Sequence, residues 1–415
     1  MGLVLRGRVV TPERLLPDGV VVVGGATIDW VGPADRAPAG AALPPPPGPS
    51  AVARTYLPGL VDLHCHGGGG ASFPDATDRA TARRAVAEHL RHGTTSLVAS
   101  LVTDDEATLL ARTTLLADLV ESGELAGIHL EGPYLAPTRC GAQDPAHLAD
   151  GRPDAVRRLT AAARGRLTTM TVAPEVPGVG GPDGVAAALV ESGAVPSFGH
   201  TAADEPTMGR ALAAARAHLL ATPGARSARP TVTHLFNAMP SWHHRRPGPV
   251  PAALAAAARG EAVVELVADG VHLDPGTVRT VFALVGAANI ALVTDAMAAA
   301  GMPDGDYALG PAAVVVRDGV ARLATRWYNP QDPDGSAGPG VVAGGTAHLL
   351  DVVRATVAAG VDLVDAVTAA TATPAAVLGR SDIGTLGPHR RADILEVDGD
   401  IRPLRVMRTG EWVVR

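Results

Sequence analysis

From residue 56 onward, apolar runs of strand length alternate with alanine-rich stretches of helical length. The runs stand at 57–66, 94–102, 126–131, 167–173, 195–200, 231–237, 262–268 and 290–295, with helix-length segments between most of them, for instance 78–92, 106–121, 183–192, 207–221 and 275–285. Strands interleaved with helices are the pattern of βα units around a parallel sheet. A doubly wound sheet competes, but eight consecutive units favour an α/β fold of the closed (β/α)8 TIM-like barrel type. The chemistry of such a barrel sits at the C-terminal ends of its strands.

The chain ends have a different texture. Segments 3–10, 19–23 and 26–31 read as short strands broken at Gly24-Gly25 and Gly32-Pro33, and 392–397 and 404–414 return to this pattern around a Thr409-Gly410 turn. The two ends are expected to pair in one small β-sandwich-like domain, residues 1–55 and 381–415, with the barrel at 56–380 inserted between them. The stretch 37–50, with prolines at 44–47, cannot be helix or central strand and reads as a surface linker. Beyond the eighth run, 312–324 reads as a hairpin or strand pair and 328–340 as a Pro/Gly/Asp loop. Helices are expected at 346–359 and 363–370, with a short third starting at Pro374.

Composition narrows the function classes. Of 415 residues 47% are hydrophobic but only 3% aromatic, so Val, Leu and Ala must fill the core. The net charge of -7 comes from interspersed acids and bases, without the basic stripe of a nucleic-acid surface. Cys65 and Cys140 are too few for a disulfide framework. The start lacks a signal-peptide pattern and no stretch reaches the ~18 uncharged apolar residues of a spanning helix. A cytoplasmic protein without membrane or nucleic-acid partners is expected.

The third run ends at Glu131, just before Gly132-Pro133. A carboxylate there costs free energy unless a cation or a hydrogen-bond network compensates it. Alone, it reads as a carboxylate solvated at the rim or paired with an arginine. The other runs change this, because ligand-type side chains recur at their ends: His64 and His66, His200, His234 and Asp295. His64 and His66 are two apart and so share one face of a strand, whereas Cys65 faces away. Imidazoles and carboxylates with an open position suit Zn²⁺ or another first-row divalent ion, which lowers the pKa of bound water to ~7. Asp295 is placed to take a proton from that water and return it, with a plain ligand or buried hydrogen-bonded role as the alternative.

On these residues the chain resembles the amidohydrolase superfamily, and within it the N-acetylglucosamine-6-phosphate deacetylases. The resemblance rests on Pro58-Gly59-Leu60-Val61-Asp62-Leu63-His64-Cys65-His66, Leu130-Glu131-Gly132-Pro133, Gly199-His200-Thr201, Thr233-His234-Leu235-Phe236-Asn237-Ala238-Met239, Ala268-Asp269-Gly270-Val271-His272 and Thr294-Asp295-Ala296-Met297. His-x-His is specific only to the superfamily, whereas Glu-Gly-Pro together with Thr-His-Leu-Phe-Asn-Ala-Met is specific to the deacetylase branch. The resemblance implies that Glu131, His200 and His234 hold one metal, that His64 and His66 belong to a second, and that Asp295 is the catalytic acid/base. One or two divalent ions per subunit are implied, zinc first, with iron, cobalt or manganese as alternatives. The implied reaction is attack of metal-bound hydroxide on the acetamide of N-acetylglucosamine 6-phosphate, giving acetate and glucosamine 6-phosphate in amino-sugar catabolism.

The substrate implied is a phosphorylated amino sugar. By the same resemblance Asn237, Ala238, Arg245 and His272 meet its phosphate, the last two across a homodimer interface, with Arg246 as the alternative to Arg245. Where the family commonly has Gly-Ala-His, this chain has Gly141-Ala142-Gln143. Ala142 and Gln143 are expected at the substrate, with the Gln143 amide donating to the oxyanion without a positive charge. Gly67 to Gly70 is not a nucleotide loop, since no Gly-Lys-Ser/Thr follows. The competing readings are an amidohydrolase acting on another N-acyl sugar or a cyclic amide, and a non-catalytic sugar-phosphate binder.

Overall fold

The structure is a computed structural model that describes residues 2–45, 54–324 and 340–413. Nearly all of the 328–340 loop and the end of the proline stretch lie outside the described residues.

Eight parallel strands follow one another in chain order around a single sheet: Leu60–Cys65, Thr94–Leu101, Gly127–Glu131, Leu167–Val172, Val195–Phe198, Thr231–Val232, Val263–Leu266 and Ile290–Leu292. The eighth returns to the first through a backbone bond from Asp295 N to His64 O of 2.9 Å and a parallel bridge between Cys65 and Ala296, closing the barrel. Every residue of these strands is buried, as expected of a parallel sheet covered by helices on its outer face. One α-helix follows each of the first seven strands, including Pro153–Ala162 after the third and Val250–Ala258 after the sixth, and three follow the eighth, Leu349–Ala358, Leu363–Ala369 and Ala372–Val377. Asp78, Asp105, Asp204 and Asp274 cap helix starts by accepting from backbone N–H groups.

The run at 57–66 is two strands rather than one. Thr55–Pro58 belongs to the terminal sheet and Leu60–Cys65 to the barrel. Gly59 is the crossing point, where a Cβ would meet Thr95 Oγ1 at 2.2 Å and Asp393 Cβ at 2.9 Å. Only glycine fits so close an approach of backbone to neighbours. The runs at 231–237 and 290–295 also shorten, to Thr231–Val232 and Ile290–Leu292. His234, Phe236, Ala238 and Asp295 take left-handed backbone with φ of 26°, 79°, 50° and 47°, so these motif residues are turns at the rim rather than strand.

The chain ends form one seven-stranded sheet in the order Glu411–Trp412, Pro403–Arg408, Ile394–Val397, Thr55–Pro58, Leu3–Val10, Leu15–Gly24, Thr27–Pro33. Its own core contains Leu5, Val9, Val21, Ile28, Tyr56, Ile394 and Met407. The hairpin expected at 312–324 is a three-stranded antiparallel sheet, Gly305–Leu309, Ala312–Arg317 and Val320–Leu323, which reaches the barrel mouth at Leu309.

Candidate active site

Beneath the barrel mouth lies a layer of buried polar side chains. His129 Nδ1 meets Ser100 Oγ at 2.9 Å and its Nε2 meets Thr171 Oγ1 at 2.8 Å; Thr171 and Ser197 in turn reach Thr233 Oγ1 at 2.7 and 2.6 Å. Burial first, then the nearby His64 charge, holds the His129 pKa well below its ordinary value, so the ring is neutral. It lies 4.4 Å from the His64 ring, edge to face, and supports it from below.

Above this layer, Glu131 stands among four imidazoles. Its Oε1 lies 2.9 Å from Nε2 of both His200 and His234, and its Oε2 is 3.2 Å from His66 Nε2. The ring nitrogens face one another, His200 Nε2 to His234 Nε2 at 3.1 Å and His64 Nε2 to His66 Nε2 at 3.0 Å. Asp295 Oδ1 is 3.4 Å from His64 Nε2 and 3.3 Å from His66 Nε2. His200 and Asp295 are held in left-handed backbone with φ of 47°, and strained backbone of this kind clusters at functional sites. The side chains are nearly fully buried, with Asp295 the most open at 13%.

This donor set fits a cation. His200 Nδ1 lies 2.7 Å from the Arg139 carbonyl, which can only accept, so the ring proton sits there and Nε2 offers a lone pair. That lone pair faces Glu131 Oε1, another acceptor. Ligands of a tetrahedral ion at ~2.0–2.1 Å stand about 3.3 Å apart, close to the 2.9–3.1 Å separations among Glu131, His200 and His234. Two triads, His64/His66/Glu131 and Glu131/His200/His234, have the mutual distances of ligand groups. Burial opposes charge on His64, but Asp295 and Glu131 raise its pKa well above the usual value; Glu131 is pushed well below its own, against burial, by His200 and His64.

The wider site is a cavity of about 330 Å³ lined by His66, Glu131, His200, His234 and Asp295 together with Ala142, Gln143, Asn237, Ala238 and His272. His64 lies fully buried behind His66. His272 lines this cavity from its own chain; its Nδ1 pairs with Asp269 at 2.8 Å, while Nε2 stands 3.9 Å from Asp295 Oδ2. Arg245 is not brought into the cavity. It is exposed in an adjoining groove of about 920 Å³ with Arg246, and Arg139 and Met239 line both spaces. Gln143 differs from the expectation of an amide free to meet an oxyanion. Its Nε2 donates to Glu131 Oε2 at 2.7 Å and its Oε1 accepts from Thr103 N at 2.7 Å.

Several contributors escaped the sequence reading. Glu265 Oε2 lies 3.3 Å from His64 Nδ1 and accepts from His234 N at 3.3 Å, so one carboxylate orients two of the imidazoles. Its signal was available, since a carboxylate inside the apolar run 262–268 is the same anomaly as Glu131. Asp62 ties the first strand to the eighth by accepting from His64 N at 3.2 Å and Thr294 Oγ1 at 2.6 Å; burial first raises its pKa, to about 7. Arg139 and Thr103 carry no such signal, because only the folding of distant loops brings them to the site.

Residues 55–413 match the model of the amidohydrolase family. Among solved structures, a mutant of the N-acetyl-D-glucosamine-6-phosphate deacetylase of Mycobacterium smegmatis, in complex with N-acetyl-D-glucosamine-6-phosphate, is 37% identical with a TM-score of 0.85, and the match covers 100% of both chains. The N-acetylglucosamine-6-phosphate deacetylase of Bacillus subtilis is 34% identical over 278 residues, 65% of this chain and 64% of the relative, just under two thirds of that protein's length. An N-acetylgalactosamine-6-phosphate deacetylase of Shewanella is 29% identical over 360 residues, covering 86% of this chain and 82% of the relative.

Proposed function

The chain belongs to the amidohydrolase family, and on that premise we propose that it deacetylates N-acetylglucosamine 6-phosphate to glucosamine 6-phosphate and acetate, in cytoplasmic amino-sugar catabolism. The observation that carries this reading is the grouping of Glu131, His200, His234, His66 and Asp295 on the wall of one cavity. Its support is a full-length likeness to a mutant deacetylase whose structure was solved in complex with that sugar phosphate.

Glu131, His200 and His234 would hold one divalent ion, zinc in our reading, and His64 and His66 a second; such an ion polarises the amide carbonyl and lowers the pKa of water towards ~7. Asp295 does the proton work. One of its oxygens takes the proton of the attacking water as the new C–O bond forms, then passes it to the amide nitrogen as the C–N bond breaks. The amine leaves neutral and the acetyl group departs as acetic acid, which gives its remaining proton to water and becomes acetate. Glu265 fixes the ring of His64, and Gln143 fixes the Glu131 carboxylate. His272, its Nδ1 committed to Asp269, presents Nε2 to the substrate beside Asp295. Asn237 and Ala238 line the path towards the groove that holds Arg245, where the phosphate would extend. A homodimer is part of the same proposal, with sedimentation as its measurement.

Acetate release by metal-loaded protein tests the reading. Turnover of N-acetylglucosamine 6-phosphate is expected, together with its loss in Asp295→Asn; no acetate from this substrate, or an Asp295→Asn variant as active as the parent, would overturn it. The Shewanella relative favours one alternative, the galacto epimer, so N-acetylgalactosamine 6-phosphate belongs in the same screen.

A further inference from the structure

At the opposite end of the barrel from Glu131 lies a second polar cavity of about 240 Å³. Ala126 and Arg166, which lead into the third and fourth barrel strands, help to line it. Four residue steps separate Gly127 from Glu131, about 13 Å along a strand, so this cavity sits on the barrel floor. Five arginines contribute to its wall, Arg166, Arg226, Arg380, Arg391 and Arg408, and no acidic residue does among the described residues. They come from both parts of the fold, with Arg408 in the terminal-sheet strand Pro403–Arg408 and Arg166 beside the barrel strand Leu167–Val172.

Only part of this charge is answered within the chain. Arg380 is held by Asp382 at 2.6 Å, and Arg391 by Asp393 with its Nε at 2.9 Å, while Arg391 also donates to Ser96 Oγ at 2.9 Å. Among the described residues, Arg226 donates only to the carbonyls of Gly193, Leu378 and Gly165, at 3.2, 3.4 and 3.2 Å, and Arg408 only to those of Gly123 and Glu124. The Arg166 guanidinium makes no hydrogen bond or ion pair among the described residues and is exposed. Burial, then the charge of Arg166, lowers the Arg226 pKa; burial, then Arg391, lowers that of Arg408, with Asp393 and Glu124 offsetting only part of the effect. Both remain cations, since arginine does not deprotonate in proteins. Like charges are thus gathered at a cost that a multiply charged anion would relieve.

We propose that this cavity is a binding site for a phosphate oxyanion, separate from the deacetylase site. Its volume is about eight times the ~30 Å³ share of one water, enough for a phosphate group with some of its ester. Guanidinium forks suit tetrahedral oxyanions bidentately. An anion there would bridge the barrel floor and the terminal sheet. The two sources of such a group are free phosphate and a small phosphate ester.

Calorimetric titration of the full-length, metal-loaded protein with inorganic phosphate and with glucose 6-phosphate, at constant ionic strength, tests this. The titrations are run on wild type, on Arg166→Ala, on Arg226→Met and on an Arg245→Ala/His272→Ala protein whose deacetylase site is impaired. Saturable binding that survives in the last protein and weakens on the order of tenfold in Arg166→Ala is expected, as for loss of one charged contact. Arg166→Ala removes no side-chain hydrogen bond or ion pair among the described residues, so its fold should be intact; Arg226→Met supplies an independent second loss. Tighter binding of the ester identifies an ester as the occupant, and tighter or equal binding of phosphate identifies the free ion. Binding that disappears with Arg245→Ala/His272→Ala but is unchanged in Arg166→Ala and Arg226→Met would overturn the proposal. So would the absence of saturable binding by either anion.

Discussion

Gln143→Leu separates two jobs that this side chain could do. Gln143 is 2% exposed, and its amide makes one bond of 2.7 Å to Glu131 Oε2 and another of 2.7 Å from Thr103 N. Leucine keeps the approximate volume and removes both. An orphaned buried donor such as the Thr103 N–H costs about 1–3 kcal/mol, so the metal-free protein should lose stability of that order in urea unfolding. The larger consequence falls on Glu131, whose carboxylate loses the neighbour that fixes its rotation. Loss of a hydrogen-bond partner to a ligating group typically costs about 10–100-fold in metal affinity, equivalent to about 1.4–2.8 kcal/mol. Zinc titration in competition with a chelator of known affinity measures this directly, and acetate release on the same samples at saturating zinc gives kcat. The expected result is weaker zinc binding with activity largely restored by excess metal. Zinc affinity within twofold of wild type combined with a fallen kcat would refute the brace and return Gln143 to a direct role on the substrate oxyanion.

Asp295→Asn should retain zinc while kcat falls by about 10²–10⁴-fold, read by metal analysis beside acetate release; loss of the metal itself would make Asp295 chiefly a ligand. Glu265→Gln removes the charge facing His64 Nδ1 at 3.3 Å, and should reduce zinc bound by the His64/His66 set more than that bound by Glu131, His200 and His234, seen as a two-step titration whose weaker step moves. His89, fully buried, has its pKa pushed down to about 4 by burial and then by His348. A histidine whose folded pKa is depressed leaves the unfolded chain binding the extra proton between about pH 6.5 and 4, so its contribution is complete above 6.5 and is lost as pH falls through that window. Each pH unit there is worth at most about 1.4 kcal/mol. Denaturant unfolding of His89→Gln should therefore show a shallower acid loss than wild type; identical slopes would contradict the assignment.

Much of the barrel was legible because a strand buried on both faces must be an apolar run, and such runs alternate with helices here from residue 60 to Leu292. The rim residues were legible for a related reason. His64, His66, Glu131, His200, His234 and Asp295 interrupt or end apolar runs, and a buried ionisable group stands out wherever its neighbours are Val, Leu and Ala. Strand ends were less legible, since His234 and Asp295 sit in left-handed turns that apolar neighbours disguise as strand. The single run at 57–66 likewise hid a change of sheet at Gly59, where the constraint is the approach of Thr95 and Asp393 rather than any local pattern.

The order of the elements and the chemical character of the rim were thus determined along the chain itself, by periodicity and by the cost of burying charge. Who holds whom was decided only in three dimensions. His64 and Glu265 are 201 residues apart, and Asp62 and Thr294 are 232 apart. No local pattern encodes such pairs, because they exist only once the barrel has closed and set the strands' inner faces against one another. The same is true of Gln143, whose partner is fixed by the path of a loop, and of the five arginines on the barrel floor, which are scattered in the chain and adjacent only where the terminal sheet meets the barrel.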